Sequence, residues 1–380
     1  MKGESVLDLK RKMLDFAFKN QYIVDSLMRK DNKANNERIL EWKKIFSGID
    51  SIQEIDRFIQ TVVLYKQEKD RPQYYMCEGK ESLLYGHAKM LYDYAGIKFK
   101  KPVYLAKIEH GINFYESASV FDLSIKPACY IFQGNYKRQI AKKKDSTMPI
   151  FTIGPYIHYA RDYYSDGEFM LLKQKIGKVL LIFPAHTYEL SQCEYDAQKF
   201  VNDVYEQYGC KYETVMVCAY WLDADSLVYS LFREKGAMIV SAGARFDDEF
   251  ISRLKSIICL SDAVLVNDIG TNIGYAIYLG KPVYMLSVTA QKNDEACDDM
   301  QELAVYKKNE KAFHEAFENC DEDKIIELYQ YFWGGTACIK TPAEMRKIIR
   351  YAEKKVRRML GNSAMYRFYW AKLKGMEDEE

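Results

Sequence analysis

The 380-residue chain lacks the features that mark several classes of protein. It contains no run of about 18 apolar residues, which argues against a membrane-spanning helix. Its charged start, MKGESVLDLKRKM, lacks the apolar core of a secretory signal peptide. Lys and Arg number 55 against 54 Asp and Glu, so no global field recruits nucleic acid. We therefore expect a cytoplasmic protein that does not bind nucleic acid.

Metal and cofactor signatures are also missing. None of the nine cysteines forms a C-x-x-C pair, so neither a zinc site nor a disulfide framework is expected. Neither G-x-G-x-x-G nor a P-loop lysine occurs, which disfavours NAD binding and ATP hydrolysis. Asp223-Ala224-Asp225 matches a D-x-D metal motif in letters only, because it opens a predicted helix, where acids act as caps. We expect no metal and no cofactor.

Hydrophobic periodicity indicates an α/β protein. Residues 1–72 show helical spacing, and from 102 onward strands alternate with helices. The first unit has predicted strands 102–108, 127–132 and 149–157 and a basic helix, 135–144. The second has strands 178–185, 213–221, 237–243, 263–268 and 281–286, separated by helices 191–208, 225–235, 247–260 and 272–279. This alternation predicts two Rossmann-like lobes, because it is typical of doubly wound parallel sheets.

Polar residues collect at the predicted strand ends of the second unit. Ligands of such sheets bind beyond the carboxyl ends of the strands. The turn 267–272 offers amides, a hydroxyl and backbone N–H groups at a helix N-terminus, a combination that holds phosphate. The alternative is that this turn is a Thr/Asn helix cap and nothing more.

Four short segments resemble GT-B glycosyltransferases, particularly the bacterial enzymes that build capsule and lipopolysaccharide. SDAVLVNDIGTNIGYAIYLGKPV (261–283) is similar to their nucleotide-sugar segment, and IEHGIN (108–113) to their strand-end His-Gly. GPYIHYA (154–160) resembles the turn before their interdomain linker, and YFWGGTACIKTPAEM (331–345) the terminal segment that returns to the first lobe. The resemblance covers about residues 100–350.

The resemblance implies a metal-independent transferase with the GT-B fold. Its parts would be an N-terminal helical segment (1–72), an acceptor lobe (73–170), a nucleotide-sugar lobe (171–335) and basic C-terminal helices that cross back (336–380). The donor's phosphates would be bound by Gly270, Thr271 and Asn272, supported by Asn267 and Tyr275 and faced by His186, Gly243 and Arg245. Trp221 or Tyr220 would lie near the base or sugar, although a buried strand aromatic is the competing interpretation.

Glu109 and His110 are the candidate bases for the acceptor hydroxyl. Since neighbouring residues of a strand point to opposite faces, only one of them can act unless the turn bends sharply. His110 is the first choice, because its ordinary pKa lies near neutrality.

The C-terminal stretch 343–374 contains ten Lys or Arg and two Glu, a net charge of +8 by subtraction. Apolar residues interleave with these charges, so the stretch could brace the first lobe or lie on an anionic membrane at the inner face of the plasma membrane. The expected function is transfer of a sugar to a growing surface glycan: capsule, O-antigen or lipopolysaccharide. Three alternatives stay open: a glycerol- or ribitol-phosphate transferase, a nucleotide-sugar 2-epimerase and a non-catalytic nucleotide-sugar-binding protein.

Overall fold

A computed structural model describes residues 81–361, except 100–105, 113, 117–127, 145, 187–192, 246, 287–290 and 293–299, together with isolated positions between 57 and 63. The helices predicted before residue 72 and the tail beyond residue 361 therefore lie outside the described residues.

The described strands and helices alternate along most of the chain. The strands are β1 (Lys107–Ile108), β2 (Tyr130–Phe132), β3 (Ile150–Thr152), β4 (Val179–Phe183), β5 (Cys193–Glu194), β6 (Thr214–Cys218), β7 (Met238–Val240), β8 (Ala263–Val266), β9 (Val283–Met285) and β10 (Gln291–Lys292). The α-helices are α1 (His87–Tyr94), α2 (Asn135–Lys144), α3 (Asp166–Ile176), α4 (Ala197–Tyr208), α5 (Leu227–Glu234), α6 (Phe250–Leu260), α7 (Thr271–Tyr278), α8 (Met300–Glu318), α9 (Glu322–Trp333) and α10 (Pro342–Gly361).

The second lobe is built on a five-stranded parallel sheet in the order β7-β6-β4-β8-β9. When the strands of this sheet are numbered from β4, the order is 3-2-1-4-5. Strands are added on one side of β4 up to β7 and on its other side from β8, so the strand order reverses between β4 and β8. Leu180, Leu181 and Ile182 of the central strand are fully buried, as a strand covered on both faces requires. The predicted fold class, α/β with parallel Rossmann-like sheets, is confirmed by this topology.

The first lobe has a smaller parallel sheet, β1-β2-β3, with strands of two or three described residues. The basic helix predicted at 135–144 is α2, which follows β2 after one turn. Gly134 in that turn has no room for a side chain, because a Cβ there would lie 2.3 Å from the Phe332 carbonyl oxygen. The end of α9 therefore packs directly against the carboxyl end of the first sheet.

Several predicted elements extend too far, three of them for a clear local reason. The strand predicted at 213–221 ends at Cys218, and a 3-10 turn, Trp221–Asp223, takes its place. The helix predicted at 191–208 begins at Ala197, because the Asp196 carboxylate caps it by accepting the Lys199 N–H. The strand predicted at 149–157 ends at Thr152, before a turn in which Gly154 adopts a φ of 81°.

Helix α3 crosses the predicted lobe boundary at 170/171. Ser165 and Glu168 form a capping box at its start, since each side chain bonds the other residue's backbone N–H. The exact division of the chain into lobes stays a prediction.

Helix α10 packs its apolar side against the first lobe. Met345, Ile348, Ile349 and Ala352 are buried on this side, and Arg346 Nε donates to the Ala95 carbonyl at the end of α1. In the described part of the chain, no helix is both long and apolar enough to cross a bilayer.

Candidate functional site

A cavity of about 360 Å³ lies where the strand ends of the two lobes meet. Its second-lobe wall comes from the residues after β4, β6, β7 and β8, and its first-lobe wall from the residues after β1 and before α1. The polar and aromatic side chains that line it belong to Tyr85, His87, His110, Phe183, His186, Tyr220, Trp221, Phe250, Asp268, Thr271, Asn272 and Tyr275. The cavity is therefore at the edge where open parallel sheets bind their ligands.

The ends of β4 and β8 are joined by one buried side chain. The Asn267 carboxamide oxygen accepts the Ala185 N–H at 2.6 Å, and Asn267 is 2% exposed. This bond spans the point at which the strand order reverses, so it joins the two strand ends there. The Nδ2 group of Asn267 is buried and has no hydrogen-bond partner among the described residues.

Helix α7 begins at the cavity without a side-chain cap. Its N-cap is Gly270, in extended conformation, which has no side chain to cap the first turn. Gly270 therefore takes the N-cap position that the alternative interpretation gave to Thr or Asn. The first-turn N–H groups and the positive end of the helix dipole face the cavity through Gly270, Thr271 and Asn272.

Thr271 also joins the two lobes. Its Oγ1 accepts the Ile112 N–H at 2.9 Å, and its carbonyl accepts from Trp333 Nε1 at 3.2 Å. Gly111 makes this approach possible, because a Cβ there would lie 2.5 Å from Thr271 Oγ1. The Thr271 hydroxyl still carries its own proton, so it can donate to a ligand while it accepts from Ile112.

The structure brings most predicted donor residues together. His186, Trp221, Gly270, Thr271, Asn272 and Tyr275 all line the cavity. The His186 ring stacks on Tyr220 with ring centroids 3.8 Å apart. Burial raises the pKa of Tyr220, and a hydrogen bond with the Tyr85 side chain raises it further, so this hydroxyl stays protonated.

Arg245 and Gly243 lie behind the wall of the cavity. The Arg245 guanidinium lies over the Trp221 ring, 5.5 Å from its centroid. Its positive charge is therefore behind the Trp221 ring that lines the cavity. Gly243 has a φ of 97°, and a Cβ there would lie 2.5 Å from the Arg253 guanidinium. Arg253 in turn pairs with Asp247 at 2.6 Å and is almost fully buried. The turn after β7 is therefore shaped by a buried ion pair.

The two candidate bases face different surroundings. His110 lines the cavity, whereas Glu109 points into the first lobe and is 3% exposed. A Glu109 carboxylate oxygen accepts the Gln133 N–H at 3.0 Å. Burial raises the pKa of Glu109 to about 7, although the Gln133 N–H and the positive charge of Lys137 oppose the shift. Of the two, only His110 can reach a ligand in the cavity.

Tyr85 and His87 are cavity residues that the sequence patterns did not single out. Tyr85 is held in the left-handed region, with a φ of 57°, and its N–H donates to the Arg245 carbonyl at 2.6 Å. His87 is the first residue of α1 and is 2% exposed. A non-glycine residue in this conformation beside a cavity marks a constrained position, and no periodic pattern in the sequence indicates it.

No group of three or more His, Cys, Asp or Glu side chains is placed to hold a metal ion among the residues that the structure describes. Cys218 is the cysteine at the cavity wall, and burial raises its thiol pKa to about 12, so it is not a nucleophile at neutral pH.

Comparison with known proteins gives weak structural likeness alone. No protein-family model and no curated protein matches the sequence. Among solved structures, the chain is similar to an α,α-trehalose-6-phosphate synthase from Burkholderia multivorans, at 11% sequence identity and a TM-score of 0.26, over 87% of this chain and 76% of that one. A TM-score this low carries no conclusion about activity, so the α/β fold rests on the strand order described above.

Proposed function

We propose that the protein is a glycosyltransferase that moves a sugar from a nucleotide-sugar donor to a growing surface glycan of the capsule, O-antigen or lipopolysaccharide type. One observation carries this proposal: the N-terminus of α7 and His110 line the same cavity at the strand-order reversal of the second sheet. The first can hold a leaving phosphate and the second can accept a proton, which are the two requirements of the transfer.

The phosphate of the donor binds at the first turn of α7. Backbone N–H groups, the Thr271 hydroxyl and the Asn272 amide supply hydrogen bonds, and the helix dipole supplies positive potential. As the sugar–phosphate bond breaks, negative charge grows on the leaving oxygen. Donors already aimed at that oxygen stabilise the transition state without reorganisation.

His110 acts as the general base. In its neutral form the imidazole takes the proton of the acceptor hydroxyl as the oxygen attacks the anomeric carbon. Glu109 is the weaker candidate, because its carboxylate is turned away from the cavity and bonded to a backbone N–H. With His110 as base the sugar is transferred in one displacement, with inversion at the anomeric carbon.

A lipid-linked acceptor would place the enzyme on an anionic membrane. The apolar side of α10 is buried against the first lobe, so among its described side chains exposed cations such as Lys347, Arg350 and Lys354 are available for this contact. Changing these three to Glu should abolish sedimentation with phosphatidylglycerol vesicles at low salt while leaving nucleotide affinity unchanged. Vesicle binding that persists in the triple variant, or that is insensitive to salt, would reject this membrane contact.

Nucleotide binding is the first test of the proposed function. Calorimetry with CMP, UDP, GDP and TDP should identify one nucleotide that binds and that raises the melting temperature by mass action. Incubation with the matching nucleotide sugar should then release that nucleotide, slowly with water or faster with an acceptor glycan. Binding without any release would favour a non-catalytic nucleotide-sugar-binding protein, and absence of binding by all four would reject both functions.

A further inference from the structure

We propose that Tyr85 and His87 form a subsite for a sugar ring, with the Tyr85 ring against an apolar face of the sugar and the His87 imidazole bonded to one of its hydroxyls. The inference rests on the proposed function for the identity of the reaction, but it concerns a part of the cavity that the phosphate does not use. It assigns the class of ligand to the wall formed by residues 84–87, at the start of α1.

The segment before α1 is fixed to the second lobe at three successive residues. Leu84 is buried in the core of the second lobe. Tyr85 donates its N–H to the Arg245 carbonyl, and a Cβ on Gly86 would lie 2.3 Å from the Asp248 carbonyl oxygen. Both Tyr85 and Gly86 have positive φ, at 57° and 71°. A left-handed tyrosine costs free energy, so the surrounding contacts must hold its ring in place.

The Tyr85 ring lies between the two lobes, beside the candidate base. Its centroid is 4.7 Å from that of Phe250 and 6.3 Å from that of His110, both edge-on. Its side chain also bonds Tyr220. A rigid aromatic ring with a polar tip is suited to a sugar, whose C–H face is apolar and whose edge carries hydroxyls.

His87 supplies a polar group on the same wall. Its imidazole lines the cavity and is 2% exposed, and no hydrogen bond joins it to the residues that the structure describes. It contacts the edge of Tyr156, with centroids 4.9 Å apart. Buried polar groups are nearly always hydrogen-bonded in native proteins, so this imidazole lacks a partner that a bound ligand would provide.

The charge state of His87 selects a neutral partner. Burial, and secondly the charge of His110, lower the pKa of His87 to about 3, so the ring is uncharged at neutral pH. A neutral imidazole has one donor and one acceptor nitrogen, which matches a hydroxyl rather than a phosphate. The anion therefore belongs at α7, and the uncharged sugar ring belongs alongside Tyr85 and His87, whose ring centroids lie 5.7 Å apart.

Saturation-transfer NMR with free glucose, galactose, mannose and N-acetylglucosamine tests this subsite directly. At least one sugar should receive saturation from the wild-type protein. Tyr85→Asn removes the ring but keeps a residue that tolerates the left-handed region, and His87→Leu removes the hydrogen bond. Each variant should lower the sugar signal about fivefold, the usual size for one neutral hydrogen bond or aromatic contact. Tyr85→Phe should retain most of the signal.

Tyr284→Leu and His314→Gln are matched controls, because both residues lie outside the cavity lining. They should leave the sugar signal unchanged. Melting temperatures of all variants show whether each one is folded. Sugar signals that are absent in the wild type, or that survive in both Tyr85→Asn and His87→Leu, would overturn the subsite.

Calorimetry with CMP, UDP, GDP and TDP on the same variants separates this proposal from the proposed function. Nucleotide affinity should stay within about twofold, because the phosphate is held by α7. A larger loss of nucleotide affinity in Tyr85→Asn would overturn the assignment to a sugar and place the base against this ring. If sugars bind but no nucleotide does, the proposed function fails and the subsite stands. If nucleotides bind but sugars do not, the subsite fails and the proposed function stands.

Discussion

The two sheets carry their candidate residues in different ways. In the second lobe, Asn267 bonds Ala185 and Asp262 accepts the Val179 N–H, so the ends of β4 and β8 are tied to each other within one sheet. In the first lobe, the polar strand-end residues Glu109 and Gln133 are buried beneath α9 and the turn that follows it. The strand ends on the second-lobe side of the cavity are thus bonded within their own sheet. Those on the first-lobe side are covered by segments about 200 residues later in the chain.

This difference means that the same kind of substitution should act differently on the two sides. Changes in the second-lobe wall, Thr271 excepted, should alter ligand affinity and spare the fold. Changes in the first lobe, His110 excepted, should alter stability, because its polar residues are part of the packing.

His110→Ala should have the largest effect on turnover. Loss of a general base lowers turnover by about 10²- to 10⁴-fold, and nucleotide affinity should stay near the wild-type value because the other lobe holds the nucleotide. Steady-state assays of nucleotide release and calorimetry measure the two quantities. Glu109→Gln is the comparison variant, since its side chain does not reach the cavity, and it should reduce turnover far less. Equal losses in the two variants would contradict the assignment of the base.

Gly274→Ala should strongly destabilise the fold. A Cβ at this position in α7 would lie 2.3 Å from the Trp333 ring, and Trp333 is fully buried. Overpacking of this kind costs about 1–3 kcal/mol, measured as the free energy of unfolding in urea. Gly167→Ala in α3 is the control, because a Cβ there meets nothing within 4 Å. If both variants unfold at the same urea concentration, the contact between α7 and α9 is not the support that we infer.

The pH dependence of stability should report the buried carboxyl of Glu109. Its pKa is raised from 4.5 to about 7, so the folded protein binds this proton more tightly than the unfolded chain does. The resulting stabilisation is complete below pH 4.5 and is lost as the pH rises through about 7. Glu109→Gln cannot titrate, so the difference in unfolding free energy between it and the wild type should change across this window. A constant difference would show that Glu109 is ionised normally in the folded state.

Thr271→Val and Asn272→Ala should divide the functions of the α7 turn. Both should weaken nucleotide binding, because a hydrogen bond to a charged phosphate contributes about 1.5–3 kcal/mol. Only Thr271→Val should also lower the melting temperature, since Thr271 accepts the Ile112 N–H from the other lobe. Unchanged nucleotide affinity in both variants would place the phosphate elsewhere, and equal melting temperatures would assign no stabilising role to the bond between the lobes.

The sequence predicted the second lobe well because its signals are local. Continuous apolar runs such as 178–185 mark buried strands, and the alternation with amphipathic helices implies parallel pairing. The turn at 267–272 follows one of these strands, so its position at the carboxyl edge of the sheet could be inferred. The errors lie at element ends, where the Asp196 cap and the Trp221–Asp223 turn depend on individual bonds.

The first-lobe side of the cavity could not be predicted in the same way. The alternation of side-chain direction that continues from β1 predicts that Glu109 and His110 point to opposite sides. It could not decide which of the two side chains faces the cavity. Tyr85 and His87 reach it because residues 84–86 bond the second lobe 160 residues later. Trp333 supports α7 from 62 residues away, and nothing in the local pattern of either segment indicates that contact.

The sequence by itself determined the alternation of strands and helices and the chemistry available at the strand ends, because propensity, periodicity and turn composition act over a few residues. Only the tertiary structure decided which of those residues share a cavity. That outcome depends on buried contacts between distant segments, such as Gly111 against Thr271 and Gly274 against Trp333, where the absence of a side chain lets two elements approach closely. It also decided the charge states, since burial of Glu109 and His87 moves their pKa values in directions that residue type alone does not specify.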